Sequence, residues 1–460
     1  MIGRLAFRSL TAHPVRSVVL AAGFGAGVAV MAILLGVAEV VLQQAQAPAL
    51  VGGGDVVIRM NPQVPARLLL AGTLQADALR MRVRVAAPAH TRELYLLRKD
   101  RVVPVAARGG IPSHERALGD EETARIDDWQ DSPADVAWTN AAPADVLRQV
   151  DRFHPIPDAP EWADSWAEWL YFNGRAKDAR FYLTFLVGPR TSRGTRPAGV
   201  RLQLERKGRL ETYSSASELT DADVESAPDL KIGASSVRLE GTQYRLHLDL
   251  ADAQGRRAVG DLLLEATPGR LVPPVELGGA RGWRTGYVVP VMSGALAGTI
   301  ALDDGAVELD GGSGYHDHNW GFWEGVSWQW GQVHHGDLSL VYGRVLPPAD
   351  AADPERLPGF VGALGPDGPI AYATNVTITE TNDANGRPQT VTVRARGSAL
   401  DVTLRFAVAS AVTTRTAQGP LGSGLDFLQL RGEYRVSGRA GTQMIDFTAP
   451  GVAETFRGTR

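Results

Sequence analysis

The sequence predicts a mainly β protein of antiparallel barrels or sandwiches behind one N-terminal transmembrane helix. Three observations carry this. Apolar and polar residues alternate with a period of two in several separate runs, the pattern of strands with one buried face. Turn formers are abundant, with 51 Gly and 28 Pro in 460 residues, as many short connections require. And a single uncharged apolar stretch near the N-terminus is long enough to cross a bilayer.

That stretch is Val18–Ala38, 21 residues without a charge. At roughly 1.5 Å per residue it spans about 30 Å, the thickness of a hydrocarbon core. Arg4, Arg8 and Arg16 precede it and Glu39 ends it. The positive-inside bias puts the N-terminus (residues 1–17) in the cytoplasm and everything after Glu39 outside, at the cell (inner) membrane. The alternative is a cleaved signal peptide, with AQA at Ala45–Ala47 as the cleavage site; the apolar run is longer than the usual h-region of about 7–15 residues. The stretch LAFRSLTAHPVRSVVLAAGFGAGVAVMAILLG resembles the first helix of bacterial ABC-exporter permeases of the macrolide-exporter type. No further span of this length follows, so the chain is not a complete permease.

Residues 39–154 read as an exit linker and a small mixed α/β region. TRELYLLRKDRVVPVAARGG has strand-like pieces, and APADVLRQVDRF reads as a short helix with Asp145 near its N-terminal end. No catalytic signature stands out here. The composition is ordinary for a globular chain, 44% hydrophobic and 21% charged. The net charge of −4 gives no basic field, which argues against nucleic acid as a partner. With no cysteine, disulfides, thiolate metal sites and cysteine nucleophiles are excluded.

From about residue 160 the pattern turns to β. In VRLQLER, Val200, Leu202 and Leu204 alternate with Arg201, Gln203 and Glu205, and Lys207-Gly208 turns the chain back. YRLHLDL alternates likewise from Tyr244 to Leu250. Asn385-Gly386 is a hairpin turn between two more alternating runs. A duplication shows faintly. SWAEWLYFNGRAKDARFYLTFLVGP (Ser165–Pro189) parallels GVSWQWGQVHHGDLSLVYGRVLPP (Gly325–Pro348). Each pairs tryptophans with a polar turn and an apolar strand ending in Pro, and the offset fits a whole barrel rather than a short repeat.

The most unusual segment is GYHDHNWGFWEGVSWQWGQVHH, Gly314–His335, which holds four of the nine histidines and four of the ten tryptophans. On a strand, His316, His318 and Trp320 point to one face, and Asp317 and Asn319 to the other. No GxxxxGK[ST], GxSxG or HExxH string occurs. His316 and His318, with Glu324 and the pair His334-His335 nearby, offer nitrogen and oxygen ligands for a metal. The spacing is close to a cupin pattern without matching it. Trp162, Trp166 and Trp169 have helix-like spacing and read as core or barrel-lid packing.

The string GSGYHDHNWG resembles the signature of the carotenoid 1,2-hydratase family and its lipocalin-like relatives. A second signature, EWWYFxG, stands here as EWLYFNG (Glu168–Gly174), with Leu170 in place of the second Trp, and the terminal GVAE also fits. The resemblance covers roughly residues 155–460. It implies two tandem lipocalin-like (calycin) barrels, placed at 155–288 and 289–460, the second carrying the YHDHNWG motif. The family includes members of no known activity encoded beside ABC exporter components.

Two functions follow as expectations. One is a membrane-anchored, extracytoplasmic binding module for an apolar lipid or isoprenoid, working with ABC exporter components. Trp320, Trp323, Trp328 and Trp330 would then line the ligand site. The other is a hydratase-like enzyme that needs no cofactor. Hydrating an alkene takes an acid, an electron-rich wall for the cation and a base for water. Asp317 is the candidate acid if burial keeps its pKa high, His316 or His318 the water guide, and Tyr342 resembles an aromatic member of the family site. The plainer alternative is that this Trp-rich strand plugs a barrel end and its His and Asp satisfy buried backbone groups. Cavity access separates these readings.

Overall fold

The computed structural model describes residues 14–15, 57–58, 70, 83–98, 101–119, 129–139, 142–177, 179–354, 357, 359–366, 368–384, 386–416 and 425–458. The uncharged run Val18–Ala38 lies outside these residues. Among the described residues no helix is long and apolar enough to cross a membrane.

The chain divides into two compact units. In the first, strands β1 (Ala89–Arg98) and β2 (Arg101–Gly110) form an antiparallel hairpin followed by helix α1 (Pro112–Ala117). The Trp129 indole N–H and the Ser113 hydroxyl both donate to Asp131, at 2.9 and 2.6 Å.

The second unit is mainly β and holds two large antiparallel sheets, consistent with tandem lipocalin-like domains. It opens with helices α2 (Pro133–Thr139) and α3 (Pro143–Val150). Both begin on Pro, whose missing N–H costs nothing in a first helical turn, and Asp145 sits in the first turn of α3 as the sequence suggested.

The first sheet runs through β3 (Trp166–Ala176), β4 (Ala179–Val187), β5 (Arg196–Arg206) and β6 (Arg209–Leu219). After helix α4 (Asp221–Glu225) come β7 (Leu230–Ile232), β8 (Ser235–Glu240), β9 (Gln243–Ala251), β10 (Arg257–Glu265) and β11 (Val272–Gly278). It ends with the 19-residue β12 (Arg284–Leu302), β13 (Gly305–Glu308) and β14 (Gly312–Phe322). The pairings close a ring, β3-β4-β5-β6-β9-β10-β12-β14 and back to β3. The seam between β6 and β9 is a single residue pair, Ser214 opposite Ala251. Lys207-Gly208 makes the two-residue β5–β6 hairpin with both residues at positive φ, 50° and 72°, the backbone a twisted two-residue hairpin demands. Val200, Leu202 and Leu204 point inward to join Phe172, Phe181, Leu183, Leu246 and Leu248 in the barrel core.

The second sheet holds β15 (Ser327–His335), β16 (Leu338–Leu346), β17 (Phe360–Gly365), β18 (Gly368–Ala373) and β19 (Val376–Asn382). β20 (Pro388–Ala395), β21 (Leu400–Thr416), β22 (Leu425–Ala440) and β23 (Gln443–Gly458) complete it. Its order, β18-β17-β16-β15-β23-β22-β21-β20-β19, leaves β18 and β19 as edges. Gly386 has φ +76° in the β19–β20 turn; its partner Asn385 lies outside the described residues.

The two sheets share one plan. In each, a Trp-rich first strand hairpins with the second and also pairs with the last strand of its own sheet: β3 with β4 and β14, β15 with β16 and β23. These are the two hairpins whose sequences looked duplicated. One expectation needs correction. The YHDHNWG strand, β14, belongs to the first sheet, where it pairs with β3 and β12, not to a second barrel starting at 289. The first ring cannot close without β12 and β14, so the change of sheet falls at the turn between β14 and β15.

Candidate functional site

β14 is buried on both faces. One side chain set enters the first barrel and the other meets the second sheet, so its residues alternate in partner rather than in polarity. The face assignment read from the strand period holds: His316, His318 and Trp320 share one side, Asp317 and Asn319 the other.

On the barrel side the histidines meet groups from far upstream. Asp151, the residue that ends α3, is fully buried, and its Oδ2 lies 2.7 Å from His316 Nε2. His316 Nδ1 donates to the Tyr171 carbonyl at 2.9 Å. Its ring stacks on Phe172 at 4.1 Å, with Tyr244 edge-on at 4.7 Å. His318 Nδ1 stands 3.2 Å from the other Asp151 oxygen, and its Nε2 donates to Glu168 Oε1 at 2.9 Å. Glu168 also takes the His154 backbone N–H at 2.9 Å and faces His154 Nδ1 at 2.7 Å. Burial alone would drive an imidazolium to lose its proton, but Asp151 and Glu168 together outweigh it and push His318 up to about 9. Burial likewise works against ionised Asp151 and Glu168, yet the facing histidines hold both carboxyls below their usual range. The cluster is a buried, charge-compensated lock between the α3 segment and the barrel wall. A buried ion network of this kind is costly to break from one side.

His154, Glu168 and His318 bring nitrogen and oxygen atoms within 4.8 Å of one another. At 2.7 and 2.9 Å these groups are in direct hydrogen bonds with one another. Glu324, the carboxylate expected beside His316 and His318 as a ligand, is exposed in the turn after β14.

On the seam side, Asp317 Oδ1 accepts from Asn319 Nδ2 at 2.6 Å and bonds the Tyr315 hydroxyl. The Tyr315 oxygen accepts the Trp330 indole N–H at 3.0 Å. From the second sheet, Glu454 on β23 bonds the Tyr171 hydroxyl. Burial raises Asp317 to about 7, despite hydrogen bonds that favour its charged form. Burial and the nearby Asp317 raise Glu454 to about 8. Two carboxyls from opposite sheets therefore hold protons near neutral pH, a state that calls for a buried site with few compensating cations.

Beside this pair lies a cleft of about 80 Å³ between β3, β4, β12 and β14 of one sheet and β15 and β23 of the other. Its polar lining includes Arg175, Arg180, Tyr182, Tyr315, Gln332 and His334, and its apolar lining includes Phe181, Met292, Val333 and Val452. Tyr315 thus touches the cleft and Asp317 in one side chain.

The remaining residues singled out from sequence lie elsewhere. Tyr342 is in the core of the second sheet, 3.2 Å from the Tyr434 hydroxyl. Trp320 stacks on His154 at 4.0 Å, and Trp323 donates to the Ala167 carbonyl at 2.9 Å. Trp328 stacks on Phe456 at 4.3 Å. Trp162, Trp166 and Trp169 pack in the same hydrophobic cluster as Trp320, Trp323 and Trp330. None of His316, Asp317, His318 or the four expected ligand tryptophans is among the residues lining the cleft. Asp151 and His154 carried no signal in the sequence, and Tyr315 and Glu454 entered only as members of the YHDHNWG and GVAE strings. Glu168 did carry one, since a carboxylate in the apolar run WAEWLYF must be paired if it is buried.

The fold defines a lipocalin-like β protein. No family profile matches the chain, and no curated protein matches it. Among solved structures it is similar to an AttH-type protein from Nitrosomonas europaea, at 13% identity over 66% of this chain and 99% of that one, with a TM-score of 0.42. Kievitone hydratase from Nectria haematococca gives 13% identity, 66% and 94% coverage and a TM-score of 0.43. CghA gives 11%, 67% and 94%, and 0.40.

Proposed function

We propose that this protein is a lipocalin-like binding module that takes a small ligand with an apolar part in the cleft between its two sheets. One observation carries the reading. The cleft joins apolar residues from both sheets (Phe181 and Met292, Val333 and Val452) to a few converging polar groups, the usual make-up of a ligand site. The histidines and Asp317 of β14 are absent from its lining, which favours binding over chemistry at those residues. The uncharged Val18–Ala38 run supports a membrane-tethered placement outside the cytoplasm, where a lipid or isoprenoid would be at hand and an ABC exporter could supply or receive it. Mass spectrometry of an organic extract of the purified protein is the test. A bound apolar compound is expected, and it should be lost from a folded variant in which Ser293, a β12 residue lining the cleft, is replaced to fill it (Ser293→Phe). Equal ligand content in both proteins would remove the cleft from the proposal.

A second reading rests on a separate observation: Tyr315 lines the cleft while its hydroxyl bonds Asp317, a carboxyl held near pKa 7. Tyr315 could pass a proton from Asp317 to an alkene in the cleft; water would then add to the resulting cation and give up one proton, which returns through Tyr315 to the Asp317 carboxylate, a hydration that needs no cofactor. A polyene incubated with the protein would gain the mass of one water, and Asp317→Asn would abolish the gain. No gain with wild type across a panel of polyenes counts against this reading.

A further inference from the structure

We infer that the cleft recognises an amphipathic carboxylic acid, with its carboxylate between Arg175 and Arg180 and its hydrocarbon chain on the apolar lining. The inference rests on the cleft being the ligand site and names the class of ligand. Arg175 is the next-to-last residue of β3 and Arg180 the second of β4, so the hairpin places them directly opposite each other, partners in register. Both are half-buried and line the cleft. Neither makes an ion pair or hydrogen bond with a described residue. Half-buried guanidiniums normally find a carboxylate, because each carries five donors that burial strips of water.

The surroundings sharpen the point. Arg431 also faces Arg180, but it is already paired with Glu205. Burial, with the charges of Arg431 and Arg175, makes the cationic form of Arg180 less favourable than usual, although Tyr182 and Glu205, which stands opposite Arg180 on β5, pull the other way. Burial and the charges of Arg270 and Arg175 push His334 down as well. An anion bound here would relieve this concentration of positive charge. A planar carboxylate suits the forked geometry of two guanidiniums. The volume of about 80 Å³ holds a head group and the start of a chain, well below the roughly 300 Å³ at which pockets begin to enclose a drug-sized molecule. The apolar residues Phe181, Met292, Val333 and Val452 give that chain its contacts.

Isothermal titration of the full chain with octanoate, 1-octanol and acetate, at neutral pH, tests this. Octanoate should bind at least tenfold more tightly than octanol or acetate. Arg175→Gln and Arg180→Gln, each checked for an unchanged thermal transition, should weaken octanoate at least fivefold and leave octanol unchanged. Should one variant fail to fold, the other still decides. Octanol binding as tightly as octanoate would overturn recognition of the carboxylate while leaving the cleft as a ligand site. Acetate binding as tightly as octanoate would reduce the site to one for free anions and overturn the inference. Full octanoate affinity in the folded arginine variants would do the same. No binding by any of the three probes would remove both the inference and the ligand-site reading beneath it.

Discussion

The Trp330 indole N–H donates to the Tyr315 hydroxyl across 3.0 Å, tying the first strand of the second sheet to the last strand of the first. Trp330 is 8% exposed and Tyr315 is 3%. Trp330→Phe keeps an aromatic ring and removes the donor. We expect a loss of about 1–2 kcal/mol, read as a lower urea midpoint at constant slope. No change would mean that the bond contributes nothing to joining the sheets.

The lock around Asp151 should be far more sensitive. Asp151→Ala leaves His318 buried between one carboxylate and an empty space, and leaves a ring nitrogen of His316 without an acceptor. A cost of about 3–5 kcal/mol is expected. A loss under about 1 kcal/mol in chemical denaturation would show that the charges in this cluster are not compensating one another.

Stability should fall as pH rises, in two windows. Asp317 and Glu454 ionise near 3.8 and 4.5 in the unfolded chain, and hold their protons to about 7 and about 8 when folded. The native state therefore binds more protons than the unfolded state between those values, and stability declines with pH there. His318 is raised from 6.5 to about 9, so its contribution is full below 6.5 and is lost as pH climbs through 9. An Asp317→Asn, Glu454→Gln double variant should flatten the first decline and keep the second. Urea midpoints measured from pH 4 to 10 decide it; an unchanged first window in the double variant refutes the assignment.

Gly286 on β12 lies directly beneath Trp320. A Cβ there would stand closer to the Trp320 indole ring than packed atoms approach. Gly286→Ala should displace Trp320 from His154 and cost about 1–3 kcal/mol. Its measure is a lower thermal midpoint together with altered near-UV circular dichroism, and a variant as stable as wild type contradicts the packing described.

Much of this was visible in the sequence, and what was hidden has a common cause. Period-two alternation from Val200 to Leu204 and from Tyr244 to Leu250 marks strands because burial on one face is a local property. The opposite facing of His316 and Asp317 is local too, fixed by the strand period. The partners of those residues are not. Asp151 reaches His316 across 165 positions, and Glu454 meets Asp317 only because two sheets pack. No composition or spacing encodes such a meeting. The boundary set at 289 failed for a related reason. β12 reads as a fresh apolar run, and only its pairing with β10 and β14 shows that it closes the earlier ring. The tryptophans of Gly314–His335 looked like a ligand wall because aromatic density looks the same whether the rings face a cavity or each other.

The first barrel meets itself through one rung, Ser214 opposite Ala251. Mechanically it is a curled strip held by a clasp. Beyond that rung β9 pairs with β8 from Gln243 to His247 instead of with β6, so the amide hydrogens of β6 that face this gap should exchange with solvent faster than those along the long β5–β6 ladder beside them. Thermal strain would part the wall at this clasp first. The ladders of the rest of the ring would stay zipped, and the core lined by Leu183 and Leu246 would be the first interior surface that water reached.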